Sequence, residues 1–326
     1  MMKRWVVMGL GLLMMACGKG AGDSITLRVG HNHTQTNPSH LALEFFAREV
    51  AERSDGTMKV QIFPNGTLGD DRVMMEQVQR GSLDMVRVSA GTLENFDDNF
   101  TLFSLPYLFT SEEHFLNVMR SDLIDGIYSV NSDKNDFRVL TYQDTGVRSF
   151  YTRFPIHTPE DLRGKKIRVM SSQNMIRMME LLGATATPLP YGEVYMALQQ
   201  GMVDGAENNP QALTLDKHGE VAKFFVYSKH LRLPDFVVMS EKSWQKLSPE
   251  QQKIVKEAMI ASTAYHHELW NAAIEQMVSE ARDKMGVTFL EVDEELFVQR
   301  IQPIYDDLAK NNPRLYTLVE EIRAMG

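Results

Sequence analysis

A single cysteine, Cys17, occurs in 326 residues, which excludes an internal disulfide framework and a thiolate metal cluster. Basic residues are in the minority, 34 Lys and Arg against 43 Asp and Glu, for a formal net charge of -9. The chain therefore lacks the positive field that nonspecific nucleic-acid binding requires. No Gly-x-Ser-x-Gly elbow, Walker loop, His-Glu-x-x-His or paired-cysteine spacing follows the N-terminal segment, so the common hydrolase, nucleotide and zinc-protease signatures are missing. What is present is the balance of a globular chain, 43% apolar and 24% charged. Sixteen Phe, 3 Trp and 10 Tyr are enough large side chains to fill two cores, and the length leads one to expect two domains.

Lys3 and Arg4 precede an apolar run over residues 5–16. That run is too short to cross a hydrocarbon core of about 30 Å as a helix. A basic start, a short apolar stretch and a small residue at the boundary describe a secretory signal over residues 1–16. Ala16-Cys17-Gly18 resembles the bacterial lipobox, in which the cysteine is lipidated, although Met14 stands where Leu is usual. Lipidation of Cys17 and ordinary signal cleavage both place the protein outside the cytoplasm, in the periplasm. Gly9-Leu10-Gly11 belongs to this segment and is not a nucleotide fingerprint.

From residue 25 the pattern alternates between strand and helix. Ile25, Leu27 and Val29 alternate, Asn37-Pro38 caps a helix, and Met58, Val60 and Ile62 alternate again. Asp70 or Asp71 opens a second helix, Gly81 closes it, and residues 83–88 read as a third strand. This βαβαβ run predicts a parallel sheet. The same rhythm returns from 166 to 207, with Asn208-Asn209-Pro210 as the loop after it. Two such lobes would face a shared cleft with their strand ends, where open α/β sheets bind ligands. The chain would cross between them near 142–146 and 230–235. Ser248-Pro249-Glu250-Gln251 is a capping box with Pro at the first helical position. From 249 the helical pattern runs unbroken to 285, about 55 Å at 1.5 Å per residue. That is too long for one small lobe, so the helix spans both; the alternative is a kink near Ser262-Thr263.

Arg168 stands inside Ile167-Arg168-Val169, a strand expected to be buried. A buried guanidinium stays charged and needs a carboxylate. The partner is either an internal Asp or Glu or a carboxylate on a ligand. Arg148 repeats the pattern beside Val147 and Phe150. Asn208, at a strand end facing the cleft, offers a donor and an acceptor, or else simply forms the turn before Pro210. His31-x-His33 reads as a hydrogen-bonded loop rather than a metal site, and adjacent His266 and His267 point about 100° apart on a helix. No metal and no cofactor are assigned.

Several motifs occur in a fixed order: Pro64-Asn65-Gly66-Thr67-Leu68-Gly69-Asp70-Asp71-Arg72, Gly81-Ser82-Leu83-Asp84, Phe103-Ser104-Leu105-Pro106-Tyr107-Leu108-Phe109, Asp161-Leu162-Arg163-Gly164-Lys165-Lys166-Ile167-Arg168-Val169, Glu193-Val194-Tyr195-Met196-Ala197-Leu198-Gln199-Gln200-Gly201 and Val203-Asp204-Gly205-Ala206-Glu207-Asn208. Together they resemble the extracytoplasmic solute-binding subunits of tripartite ATP-independent periplasmic (TRAP) transporters. The resemblance implies an α/β, two-lobed periplasmic binding protein fold with the ligand cleft between the lobes and the long helix spanning both. One lobe would comprise 24–145 and 233–265, the other 146–232 and 266–326. It also implies closure over an organic acid that bears a carboxylate, and delivery to the membrane subunits.

By position, Arg168 matches the family's carboxylate-binding arginine, and Asn32, Asp71, Arg148 and Asn208 match ligand contacts. Tyr191 matches an aromatic ring that packs on the ligand; His230 and Asp235 fall near the cleft. Ser89 replaces the Glu found in members resembling the sialic-acid binders, which argues against sialic acid. Neutral polar groups at the strand ends, Asn32, Ser89, Ser172 and Asn208 among them, suit a hydroxylated sugar acid such as a hexuronate. Gly30-His31-Asn32-His33 and Ala206-Glu207-Asn208-Asn209-Pro210 resemble the sugar-acid branch. A C4-dicarboxylate is the alternative, with Arg148 as its second partner; a periplasmic enzyme or a sensor module would use the same cleft.

Overall fold

A computed structural model describes residues 24–129 and 132–326. The expected signal peptide and Cys17 lie outside the described residues.

Two sheets form the framework. The first contains β1 (Ile25–Gly30), β2 (Met58–Phe63), β3 (Met85–Ser89) and β4 (Phe137–Gln143); the second contains β5 (Val147–Thr152), β6 (Lys166–Val169), β7 (Thr185–Pro188), β8 (Gly205–Asn208) and β9 (Phe224–Arg232). The chain then returns to the first sheet as β10 (Asp235–Ser240) and to the second as β11 (Thr288–Glu291). Strand orders are β2-β1-β3-β10-β4 and β11-β9-β5-β8-β6-β7. β1, β2 and β3 are parallel, as the βαβαβ pattern predicts. The first sheet as a whole is mixed, because β10 enters from the cleft end and lies antiparallel between β3 and β4.

The helices that position the site are α1 (Pro38–Arg53), α2 (Asp71–Arg80), α3 (Gln173–Leu181) and α4 (Val194–Gln199). α1 begins at Asn37, whose side chain accepts from Ser39 N, with Pro38 in the first turn. At α2 the two aspartates divide their roles. Asp70 caps the helix by accepting from Val73 N at 2.8 Å, which leaves the Asp71 side chain for the cleft.

The long helix, α5 (Pro249–Asp283), runs 35 residues without a break from the capping box of Ser248 and Gln251. Its first half contributes Ile254, Val255, Ala258 and Met259 to the core under the first sheet. Near its end Ala281 joins the core of the second, with Tyr151, Val194 and Phe225. The hydroxyls at the position of the alternative kink are absorbed: Ser262 Oγ donates to Ala42 O at 2.7 Å, and Thr263 Oγ1 donates to Met259 O at 2.9 Å. The helix α6 (Glu294–Asn311) then packs Phe297 beside Phe150 of the second lobe. Tyr305 Oη donates to Pro106 O at 2.7 Å, and Arg314 in α7 (Pro313–Arg323) reaches Asn99 Oδ1 at 2.7 Å. The C-terminal helices therefore lean on both lobes.

The chain crosses between lobes after β4 and after β9, in the two segments read from sequence, and a third time along α5. Arg232 ties the first two crossings together through Asp144, with Nη2 to Oδ2 at 2.5 Å in a buried pair. Gly146 has φ +75° beside the Trp270 indole. Among the described residues no helix is long and apolar enough to cross a membrane.

Candidate functional site

The strand ends of both sheets converge on a cavity of about 450 Å³. The first lobe supplies the β1–α1 loop with Asn32 and His33, the start of α2 with Asp71, and Arg87, Ser89, Thr145 and Asp235. The second lobe supplies Arg148, Arg168, Tyr191, Asn208, Asn209 and Gln211. Of the expected contacts, Arg168, Asn208, Arg148, Asn32, Asp71, Tyr191, Ser89 and Asp235 line this cavity. Two do not. Ser172 is the N-cap of α3 and accepts from Met175 N at 3.3 Å. His230 lies behind the wall, with Nδ1 2.8 Å from Ser228 Oγ and its ring against Phe150.

Three buried arginines line the cavity, and their partners differ. Arg148 is held entirely by its own lobe. Its Nε donates to Glu207 Oε2 at 2.7 Å, Nη2 to Glu207 Oε1 at 2.9 Å, and Nη1 to Asn208 Oδ1 at 2.7 Å. Burial alone would raise the Glu207 carboxyl, but the Arg148 guanidinium holds it down at about 2. This corrects the expectation that Arg148 is available as a second carboxylate partner. It also changes the role of Asn208, whose carbonyl oxygen is already occupied by Arg148 and by Asn209 N. Arg87 is equally engaged: Nε donates to Gln143 Oε1 at 3.3 Å, Nη1 to His33 Nε2, and Nη2 to Asp235 Oδ2.

Arg168 is the exception. It is 2% exposed, yet its Nε and Nη2 donate only to the Leu189 carbonyl, at 2.9 and 2.7 Å. Among the described residues no carboxylate pairs with it, and Nη1 has no partner. Burial lowers its pKa, which the Tyr151 and Glu207 side chains only partly oppose. The Tyr191 ring lies 5.8 Å from the guanidinium carbon, and its hydroxyl is fixed on Asp216 Oδ2 at 2.5 Å.

Other unspent groups gather in the same place. Asn32 Oδ1, Asp71 Oδ1, Asn209 Oδ1, His33 Nδ1 and Arg168 Nη1 are all buried without a partner, and all belong to cavity-lining residues. Buried polar groups are nearly always satisfied, so such a concentration marks a place that a polar ligand completes. Burial keeps His33 neutral, with its pKa well below the usual value. Since Arg87 donates to its Nε2, the ring proton sits on Nδ1 as a free donor. Burial also pushes the Asp71 carboxyl up to about 7. The cavity therefore presents one uncompensated cation, an imidazole donor and three side-chain oxygens from Asn32, Asp71 and Asn209.

Arg87 carried the signal that had singled out Arg168, a charge between apolar strand residues in Val86-Arg87-Val88. Thr145 and Gln211 had no such signal, because only the crossing geometry brings them to the cavity.

Two α/β lobes, three crossings and a charged cavity between them define a two-lobed solute-binding protein. The chain belongs to the bacterial extracellular solute-binding protein family 7, which matches residues 29–312. The uncharacterized protein YiiZ of Salmonella typhimurium is 43% identical over 290 residues, 88% of each chain. A TRAP periplasmic solute-binding protein from Anaerococcus prevotii, solved with bound α/β-D-glucuronate, superposes with a TM-score of 0.89 at 35% identity, covering 92% of this chain and 98% of that one. Another from Sulfitobacter, with bound β-D-galacturonate, gives 0.88 at 33% identity, covering 92% and 99%. The long helix and two-lobed architecture expected from sequence match this fold.

Proposed function

We propose that the protein captures a hexuronate-type sugar acid in the periplasm and delivers it unchanged to the membrane subunits of a TRAP transporter. Arg168 carries this reading, as the one buried arginine of the three lining the cavity that has no carboxylate of its own. Its Nη1/Nη2 edge takes the ligand carboxylate. Asn32, Asp71 and Asn209 accept from sugar hydroxyls, His33 Nδ1 donates to a ring or hydroxyl oxygen, and Tyr191 packs over the bound acid. The glucuronate and galacturonate bound by the similar proteins fit this set of groups. A C4-dicarboxylate fits less well, because Arg148 and Arg87 are already neutralised by Glu207 and Asp235.

Calorimetric titration with D-glucuronate, D-galacturonate, succinate and sialic acid tests the assignment. One of the two hexuronates is expected to bind in the micromolar range or tighter and to be recovered chemically unchanged. Preferential binding of succinate, or turnover of the acid, would sink it. Mass spectrometry of the membrane fraction tests the anchor. A diacyl or triacyl group on Cys17 supports lipidation, and a mature N-terminus beyond Cys17 leaves a freely soluble periplasmic protein.

A further inference from the structure

The charges around the cavity are unevenly divided. On the second-lobe wall Arg148 and Glu207 cancel, and Arg168 is left positive. On the first-lobe wall the buried Arg87 and Asp235 cancel and the Asp71 carboxyl remains, while Asp70 and Arg72, and Glu193 across from them, line the cavity from solvent-exposed positions. Among the buried groups, a ligand carboxylate is therefore attracted to one wall only. The opposite wall is silent because of a single residue. Asp235 is the first residue of β10, paired in register with Ser89, and it touches Thr145 Oγ1 at 3.4 Å as well as Arg87 Nη2. The other Arg87 nitrogens are taken by the neutral partners Gln143 and His33. Without the Asp235 charge, Arg87 would stand where Arg168 stands, buried, cationic and with nitrogen to spare.

We infer that Asp235 is the specificity-determining residue that limits the site to acids with a carboxylate at one end, by occupying the guanidinium that would otherwise accept a second. The inference rests on the hexuronate reading and names what that site rejects: aldarates, the same sugars with a carboxylate at both ends. Exclusion works through repulsion and through denial of a partner, since a second carboxylate would be desolvated beside Asp71 and Asp235 with Arg87 already spent.

D-Galacturonate is bound as a closed ring by the similar proteins, whereas galactarate has no aldehyde carbon and stays open-chain, so it is the change in their affinity ratio on replacing Asp235 that isolates the charge at this end of the site. In the full chain, galactarate is expected to bind more weakly than galacturonate by roughly 100-fold or more, from an unpaired buried charge together with its open chain. Asp235→Asn frees Arg87 and is expected to shift the ratio toward galactarate by roughly tenfold or more. The double variant Arg87→Met/Asp235→Asn is expected to lose that gain. Wild-type protein that binds both acids alike overturns the inference and leaves the hexuronate reading standing. An Asp235→Asn protein that binds galacturonate with an unchanged ratio also overturns it. Wild-type protein that binds neither hexuronate removes the reading and the inference together. If Asp235→Asn does not fold, Asp235→Ala or Asp235→Ser takes its place with the same expected shift.

Discussion

Replacing Arg168 separates a ligand-binding charge from a structural one, because the two roles move stability and affinity in opposite directions. A buried arginine paired with an internal carboxylate stabilises the fold, and removing it strands its partner at a cost of about 3–5 kcal/mol. Among the described residues Arg168 has no such partner; its hydrogen bonds are two donations to the Leu189 carbonyl, and Nη1 makes none. Arg168→Met therefore loses the bonds to one carbonyl, worth about 1 kcal/mol, and removes an uncompensated buried charge whose desolvation costs several kcal/mol. The ligand-free protein is expected to melt at an unchanged or higher temperature. Binding changes the other way. The ligand carboxylate loses charge-assisted bonds worth about 1.5–3 kcal/mol each and remains buried without a partner. The hexuronate affinity is expected to fall by roughly 10²- to 10³-fold, since 1.4 kcal/mol is about tenfold. Arg168→Lys keeps the charge but not the planar fork, and is expected to fall by roughly tenfold or more. Scanning calorimetry of the ligand-free protein and titration calorimetry with D-glucuronate or D-galacturonate give both quantities. A variant Arg168→Met that binds normally and melts much earlier would refute the reasoning.

Glu207→Gln leaves Arg148 buried without its carboxylate and is expected to lower the unfolding free energy by about 3–5 kcal/mol in urea titrations; a loss under about 1 kcal/mol would show that Asn208 and the backbone suffice. Because the Glu207 carboxyl is held at about 2 against an ordinary 4.5, its stabilisation is present above pH 4.5 and is lost as pH falls toward 2. His266 is buried on Trp270 and its pKa is lowered to about 3 from 6.5, burial being the main cause. The unfolded chain takes up that proton below pH 6.5 and the folded chain does not, so stability is lost as pH falls from 6.5 toward 3. Near pH 5 this amounts to about 2 kcal/mol, and the melting temperature of His266→Gln is expected to drop less between pH 7 and 5 than that of the wild type. Gly146→Ala places a Cβ at φ +75°, 3.4 Å from Trp270 Nε1. It is expected to cost about 1–2 kcal/mol in a denaturation curve; an unchanged curve would show that the crossing yields easily. Closure of the lobes over the acid is expected to shrink the radius of gyration in small-angle scattering, and an unchanged radius at saturation would point to a fixed pocket.

Much of the framework was legible in the chain because it depends on local rules. Asn37-Pro38 and Ser248-Pro249-Glu250-Gln251 start helices through caps that are satisfied within a few residues. The unbroken helical pattern after 249 gave a length that only a two-lobed molecule can use. Arg168 was conspicuous because a charge inside an apolar strand demands an explanation wherever it occurs. The sequence did not tell which of its arginines was free. Arg148 and Arg168 sit in similar apolar strands, yet Glu207 reaches one and not the other, and that is decided by the pairing of β5 with β8 in register. Arg87 is likewise silenced by Asp235, 148 positions away, because β10 returns antiparallel beside β3. His230 and Ser172 are close to the cleft in sequence but turn away from it, one behind Phe150 and the other onto a helix end. Residue type and spacing by themselves determined the lobes, the spanning helix and the presence of buried charge. Tertiary structure decided which charge is left over for a ligand, because neutralisation falls off within a few ångströms and those distances exist only once the strands have paired.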